Sequence, residues 1–197
     1  MGCYSFNGFI PVIDPSSFVH ETASVIGDVI IGKDCYIGPG AVIRGDWGRI
    51  TIEDGCNVQE NCVVHMFPGK NITFESGAHL GHGCVVHGAD LKSNCLIGMN
   101  AVVMDGASVG KNSIVGALSF VKSNEVIPDD HLFAGNPGKV IKKLSTEMIA
   151  WKTEGTELYQ ALPKDCHASL LPVQPLSEME PNRPTHPMVY KPWKTSI

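Results

Sequence analysis

The chain has no cysteine pair in C-x-x-C spacing, no block of basic residues, and no apolar run approaching the roughly 18 residues of a membrane span. Each absence removes a class of function. Seven cysteines, an odd number without paired spacing, argue against a disulfide framework and against a thiolate zinc site. With 15 Lys+Arg against 20 Asp+Glu, a formal charge of -5 and nothing to track phosphates, nucleic acid is not an expected partner. No membrane partner is expected either. The opening MGCYSFNGFIPVID lacks the charged start and long apolar core of a signal peptide, and Phe6 stands where a myristoylation signal asks for Ser or Thr. A cytoplasmic, unlipidated protein is therefore expected. At 197 residues and 43% hydrophobic content, the chain suffices for one globular unit with an appendage.

What is present is a period of six. Val19, Val25, Ile31, Ile37 and Ile43 fall six apart, as do Leu91, Ile97, Val103, Val109, Val115, Val121 and Ile127. Ile52, Val58, Val64, Phe74, Leu80 and Val86 lie between the two series. Mostly β-branched anchors at this period match a hexapeptide β-helix, in which every six residues form one short side of a coil. The fourth residue after an anchor is nearly always small: Ala23, Cys35, Ala41, Cys56, Cys62, Ala78, Cys84, Cys95, Ala101, Ala107, Ser113 and Ser119. Five of the seven cysteines sit there, which makes them small packing residues rather than nucleophiles. Gly32, Gly38, Gly81, Gly98, Gly110 and Gly116 directly follow anchors, and tight corners are expected at them.

Grouping the anchors in threes gives about six coils, whose middle column reads Val25, Ile43, Val64, Val86, Val103 and Val121. Arg44, His65 and His87 each come immediately after a middle-column anchor, so they should stack at the strand spacing of roughly 4.8 Å. His65 and His87 are then placed to share one metal ion. His82 follows the first-column anchor Leu80 and lies around a corner, and a cyclic trimer of parallel prisms could bring it from a neighbour. Departures from the period cluster between the middle and third columns: three extra residues around RGDWGR, four around HMFPGK, and one missing after VHGAD. Irregular loops in a regular solenoid fall where a site needs walls.

The repeat is read as ending after Ile127, with turn chemistry in Pro128, Gly135, Asn136, Pro137 and Gly138. Ser145 is a candidate N-cap for a helix that places Leu144, Met148, Trp151, Leu158 and Leu162 at helical spacing. The expected organisation is a β-helix over 1–130, a turn and helix over 131–163, and an extended proline-rich tail over 164–197.

The segments RGDWGRI, NVQENCVVH, GHGCVVHG and GMNAVVMDGASVG resemble the γ-class carbonic anhydrase-like branch of the hexapeptide-repeat superfamily. Within it, the chain resembles the phenylacetate-degradation and carnitine-operon proteins, from about Phe6 into the LSEMEPNRP tail. The resemblance implies an all-β left-handed parallel β-helix, a homotrimer, and zinc at the subunit interfaces. It places the three zinc ligands on His65, His82 and His87, in agreement with the columns. It places Arg44 and Asp46 at the site as a salt bridge across the interface, Gln59 as the residue orienting the metal-bound water, and Asn57 as a polar neighbour. Trp47 and MFPGK stand where relatives carry acids that export a proton, so no proton shuttle is visible.

The function implied is that of a zinc lyase converting CO2 to bicarbonate, with Fe2+ or Co2+ able to occupy the same ligands. Two alternatives stand beside it: a metal-dependent acyl-CoA thioesterase in phenylacetate or carnitine catabolism, and a catalytically silent trimeric accessory protein. Trp47 and HMFPGK would supply an apolar wall suited to an acyl chain. Acyl transfer is disfavoured, because hexapeptide acyltransferases rely on a lone histidine.

Overall fold

Each six-residue unit forms a short strand followed by a corner. The structure, a computed structural model, describes residues 2–187 and 190–193. Strands such as Leu96–Ile97, Val102–Val103 and Ser108–Val109 pair in parallel with strands one coil above and below. The middle column Val25, Ile43, Val64, Val86, Val103 and Val121 is in continuous register, as expected. The first column runs Val19, Ile37, Val58, Leu80, Ile97 and Val115. The third runs Ile13, Ile31, Ile52, Phe74, Leu91, Val109 and Ile127. The result is a parallel β-solenoid of about seven turns, the architecture of a left-handed β-helix of hexapeptide repeats.

The solenoid is longer than its sequence suggests. Phe133, six residues past Ile127, occupies the next first-column place beside Val115, on the strand His131–Gly135. That strand folds back as an antiparallel hairpin onto Gly138–Lys143 and closes the end of the stack. An aromatic anchor flanked by Gly and Pro hides this last step in the sequence, because its local chemistry is that of a turn.

The core is the axis of the prism. Ile37, Ile43, Val58, Val64, Leu80, Val86, Ile97 and Val103 are all 0% exposed, and so are the small residues Cys35, Ala41, Cys62, Cys84 and Ala101. All seven cysteines are free. The buried thiols donate to carbonyl oxygens of the next coil, Cys35 Sγ to Glu53 O at 3.1 Å and Cys62 Sγ to Gly81 O at 3.2 Å, so they pack as expected. The corners differ from expectation. The glycines that follow anchors are places of close approach: a Cβ on Gly98 would fall against the backbone of Ala117 in the next coil. The left-handed turn is made two residues later, by Asn61 (φ 59), Asn94 (φ 54), Asn100 (φ 54) and Asn112 (φ 58), residue types that tolerate it. Leu118 (φ 59) holds the same place without that tolerance.

Helix α1 (Thr146–Ser169) starts at the expected cap, Ser145, whose side chain accepts from Met148 N at 3.3 Å. It continues past the expected boundary at 163, carrying Pro163 inside the helix. Its buried residues are Lys152, Thr156 and Pro163, one turn or two apart, whereas Leu158 is 38% exposed. The apolar spacing therefore mispredicts the packed face. The helix meets polar groups on the prism: Lys152 Nζ donates to Asn94 O at 2.6 Å, and Gln160 Nε2 to Gly55 O at 3.0 Å. Beyond the helix the chain is extended, and it returns to stack Tyr190 on Trp151, with ring centroids 5.5 Å apart. Among the described residues no helix is long and apolar enough to cross a membrane.

Candidate active site

The strands Val63–His65 and Val85–His87 bring two imidazoles together because their anchors, Val64 and Val86, are locked in register in the core. The residue after each anchor then leaves the prism at the same corner, one coil apart. His65 Nδ1 lies 3.3 Å from His87 Nε2. The other nitrogen of each ring meets a carboxylate: His65 Nε2 donates to Asp46 Oδ1 at 2.9 Å, and His87 Nδ1 to Asp105 Oδ1 at 2.7 Å. Arg44 completes the cluster, donating to Asp46 Oδ2 at 2.7 Å and facing His65 Nδ1 at 3.3 Å.

These contacts assign the tautomers. A guanidinium only donates, so His65 Nδ1 is a lone pair, consistent with a proton on Nε2 toward Asp46. The Asp105 contact likewise puts the His87 proton on Nδ1 and leaves Nε2 bare. Two lone pairs then converge with no proton between them. Their 3.3 Å separation is the edge of a tetrahedron whose metal–nitrogen bonds are about 2.0–2.1 Å. Carboxylates on the far nitrogens are the usual support of metal-binding imidazoles. Two imidazole nitrogens of this kind suit zinc, which would take the place of the Arg44 N–H now facing His65 Nδ1. Burial first, with Arg44 adding, holds His65 below the ordinary histidine range, against the opposing pull of Asp46. Asp46 sits below the usual carboxylate range: burial opposes this, but His65 and Arg44 outweigh it.

The Arg44–Asp46 pair forms within one chain, at 2.7 Å. The two residues are i and i+2 on the strand Val42–Ile52 and share a face of it. Trp47 packs over His65 with ring centroids 4.9 Å apart, and Phe67 meets the edge of His87 at 5.9 Å, so both loops do wall this corner.

His82 is elsewhere. It follows the first-column strand His79–Leu80, its Nδ1 paired with Glu60 Oε2 and its side chain 48% exposed. Glu60 in turn accepts from Tyr36 Oη at 2.8 Å. Among the described residues, no group of three or more His, Cys, Asp or Glu side chains converges as a metal site. One chain thus places Arg44, Asp46, His65 and His87 at one corner, and Asn57, Gln59 and His82 on another face.

Gln59 and Asn57 are buried there, and Gln59 Nε2 donates to Asn57 Oδ1 at 2.9 Å and to His79 Nε2 at 2.7 Å. Gln59 and His82 border a cavity of about 470 Å³ walled by Met99, Trp151, Leu158 and Tyr190. Sequence reasoning missed Asp105, Glu60 and Thr156. Asp105 and Glu60 had a signal, since each is an acid within two residues of an anchor in a histidine-bearing part of the stack. Thr156 had none.

Comparison with known proteins agrees with this architecture. A family model for the bacterial transferase hexapeptide (six repeats) matches residues 11–45 and 88–123. The carnitine operon protein CaiE of Escherichia coli O7:K1 is 44% identical over 184 residues, covering 93% of this chain and 94% of that protein. Its counterpart from Salmonella agona is 41% identical over 93% of each. A hexapeptide transferase family protein from Anaplasma phagocytophilum superposes with a TM-score of 0.80 at 32% identity, covering 83% of this chain and 97% of that one. A putative acetyltransferase from Bacillus cereus gives 0.77 at 32% identity over 82% and 96%.

Proposed function

The chain belongs to the hexapeptide-repeat family, close to the carnitine operon proteins, and from that footing we propose that it is a zinc enzyme of the γ-class carbonic anhydrase type, converting CO2 to bicarbonate. The observation that carries this reading is the pair of imidazole lone pairs, on His65 and His87, converging 3.3 Å apart with a carboxylate behind each ring. Those two residues and His82 of a neighbouring copy in a homotrimer would hold the ion. His82 likewise has a carboxylate against one ring nitrogen, Nδ1, but on another face of its own chain. When bound, zinc supplies a Lewis-acid centre and, at neutral pH, the hydroxide that adds to the carbon of CO2.

The chain's own residues do the positioning. Asp46 and Asp105 keep the imidazoles in the tautomers that face inward, and Arg44 holds Asp46 in place. Gln59 offers its amide to orient the attacking group, with Asn57 bracing it. Asp46 and Asp105 are taken up by the imidazoles, and Trp47 and Phe67 cover the loop side of the corner, so the released proton is passed to buffer and turnover should rise with buffer concentration.

A second reading, an acyl-CoA thioesterase, is favoured by one observation: a cavity of about 470 Å³ with apolar walls meets Gln59 and His82, far more space than CO2 needs. The same hydroxide added to a thioester carbonyl would give an acid and free coenzyme A. Stopped-flow CO2 hydration and thiol release from acyl-CoA, assayed on the same zinc-analysed protein, test both. One zinc per subunit with CO2 hydration supports the first reading, and zinc with thioester hydrolysis alone supports the second. Protein that takes up no zinc and does neither would leave the accessory-protein reading.

A further inference from the structure

The buried polar chain behind Gln59 has a direction, and helix α1 sets it. Thr156 Oγ1 lies 3.3 Å from the carbonyl oxygen of Lys152, a group that only accepts. The hydroxyl therefore donates to that carbonyl and receives from His79 Nδ1 at 3.2 Å. The His79 proton is thus on Nδ1, Nε2 is an acceptor, and the 2.7 Å contact with Gln59 is a donation from the amide nitrogen. The second N–H of that amide goes to Asn57 Oδ1 at 2.9 Å. Both donors are used inside the fold, which leaves the carboxamide oxygen of Gln59 as the atom available at the cavity.

The reverse arrangement is nearly isosteric. With the proton on His79 Nε2 and both amides turned over, Gln59 would present its NH2 group instead, a donor where an acceptor is needed. Bonding among the three side chains does not choose between the two. Either direction leaves one buried Asn57 atom without a partner among the described residues, Nδ2 as observed and Oδ1 after the reversal. What selects the observed direction is the Thr156 hydroxyl, anchored on the helix carbonyl. His79 remains a neutral acceptor at working pH, because burial first, and the nearby Lys152 charge second, push its pKa down to about 3.

We propose that His79 is a positioning residue, and that Thr156 of helix α1, by fixing the His79 tautomer, decides which atom of the Gln59 amide faces the site. The catalytic consequence rests on the reading that Gln59 orients the attacking group; the orientation itself does not. The expected signature is read first on the wild-type protein. Long-range 1H–15N spectra of the imidazoles should show His79 protonated on Nδ1, with the Gln59 amide protons slow to exchange. Thr156→Val should shift His79 toward the Nε2-protonated form and lower kcat about 10–100-fold, with zinc content and KM retained. Thr156→Ser should restore both.

Wild-type His79 protonated on Nε2 would overturn the proposal without any variant, as would an unchanged Nδ1 tautomer in folded Thr156→Val. A shifted tautomer with undiminished kcat would refute the positioning role. Wild-type protein that binds no zinc and turns over nothing would sink the metal reading alone, and the tautomer would still decide the proposal.

Discussion

His65 and His87 face each other across adjacent coils, Nδ1 to Nε2 at 3.3 Å, each held from behind by a carboxylate of the same chain. His82 is not part of this cluster: it pairs with Glu60 on another face.

If the ligands are shared between copies, His82→Ala protein and a His65→Ala/His87→Ala double variant should each be zinc-poor and inactive, yet complement each other. In trimers refolded from an equal mixture, each half-site of an interface is intact half the time. Roughly a quarter of wild-type zinc and activity should therefore return. Native mass spectrometry would confirm mixing; mixed trimers with no recovery would rule out a site shared in this way.

Asp46 acts on His65 by accepting its Nε2 proton. Asp46→Asn keeps the shape but offers a weaker, uncharged acceptor, and zinc affinity should drop about 10–100-fold. Competition with a chelator measures this directly. Affinity within a factor of two of wild type would show that the pairing is incidental.

The buried His79 makes the fold acid-sensitive. Its folded pKa, about 3, lies below the ordinary 6.5, so its contribution to stability is complete above pH 6.5 and is lost as pH falls toward 3. Between pH 6.5 and 5 the loss should be on the order of 2 kcal/mol. Urea unfolding at the two pH values would show it, and His79→Asn should remove most of this slope. A slope equal in the variant would assign the acid sensitivity to other groups.

Leu118 occupies the left-handed corner that Asn61, Asn94, Asn100 and Asn112 fill elsewhere, and its side chain is 70% exposed. A left-handed non-glycine residue costs about 1–2 kcal/mol. Leu118→Asn should therefore raise stability by about 1 kcal/mol in denaturant titrations, with the solenoid unchanged. A neutral or destabilising result would mean that the exposed leucine makes a contact in the assembled protein that outweighs the backbone strain.

A period of six in buried aliphatics determined the coil, because only a prism with six residues per side returns every anchor to one axis. The same register determined that Arg44, His65 and His87 share a corner and that His82 does not, since a residue's place after its anchor dictates where it leaves the prism. Those features were legible because they are local and repeated. The seventh turn at Phe133 was not, because its flanking Gly and Pro read as a turn until the neighbouring strand supplies its ladder. Nor was the face of helix α1: its apolar spacing favours Leu158, while the prism offers Asn94, Gly55 and His79 and draws Lys152, Thr156 and Gln160 inward. The pairing of Asp105 with His87, and of Thr156 with His79 from 77 residues away, was likewise decided only by tertiary structure. Hydrogen bonds between side chains depend on which atoms the packed coils bring within 3 Å or so, and no periodicity along the chain encodes that distance.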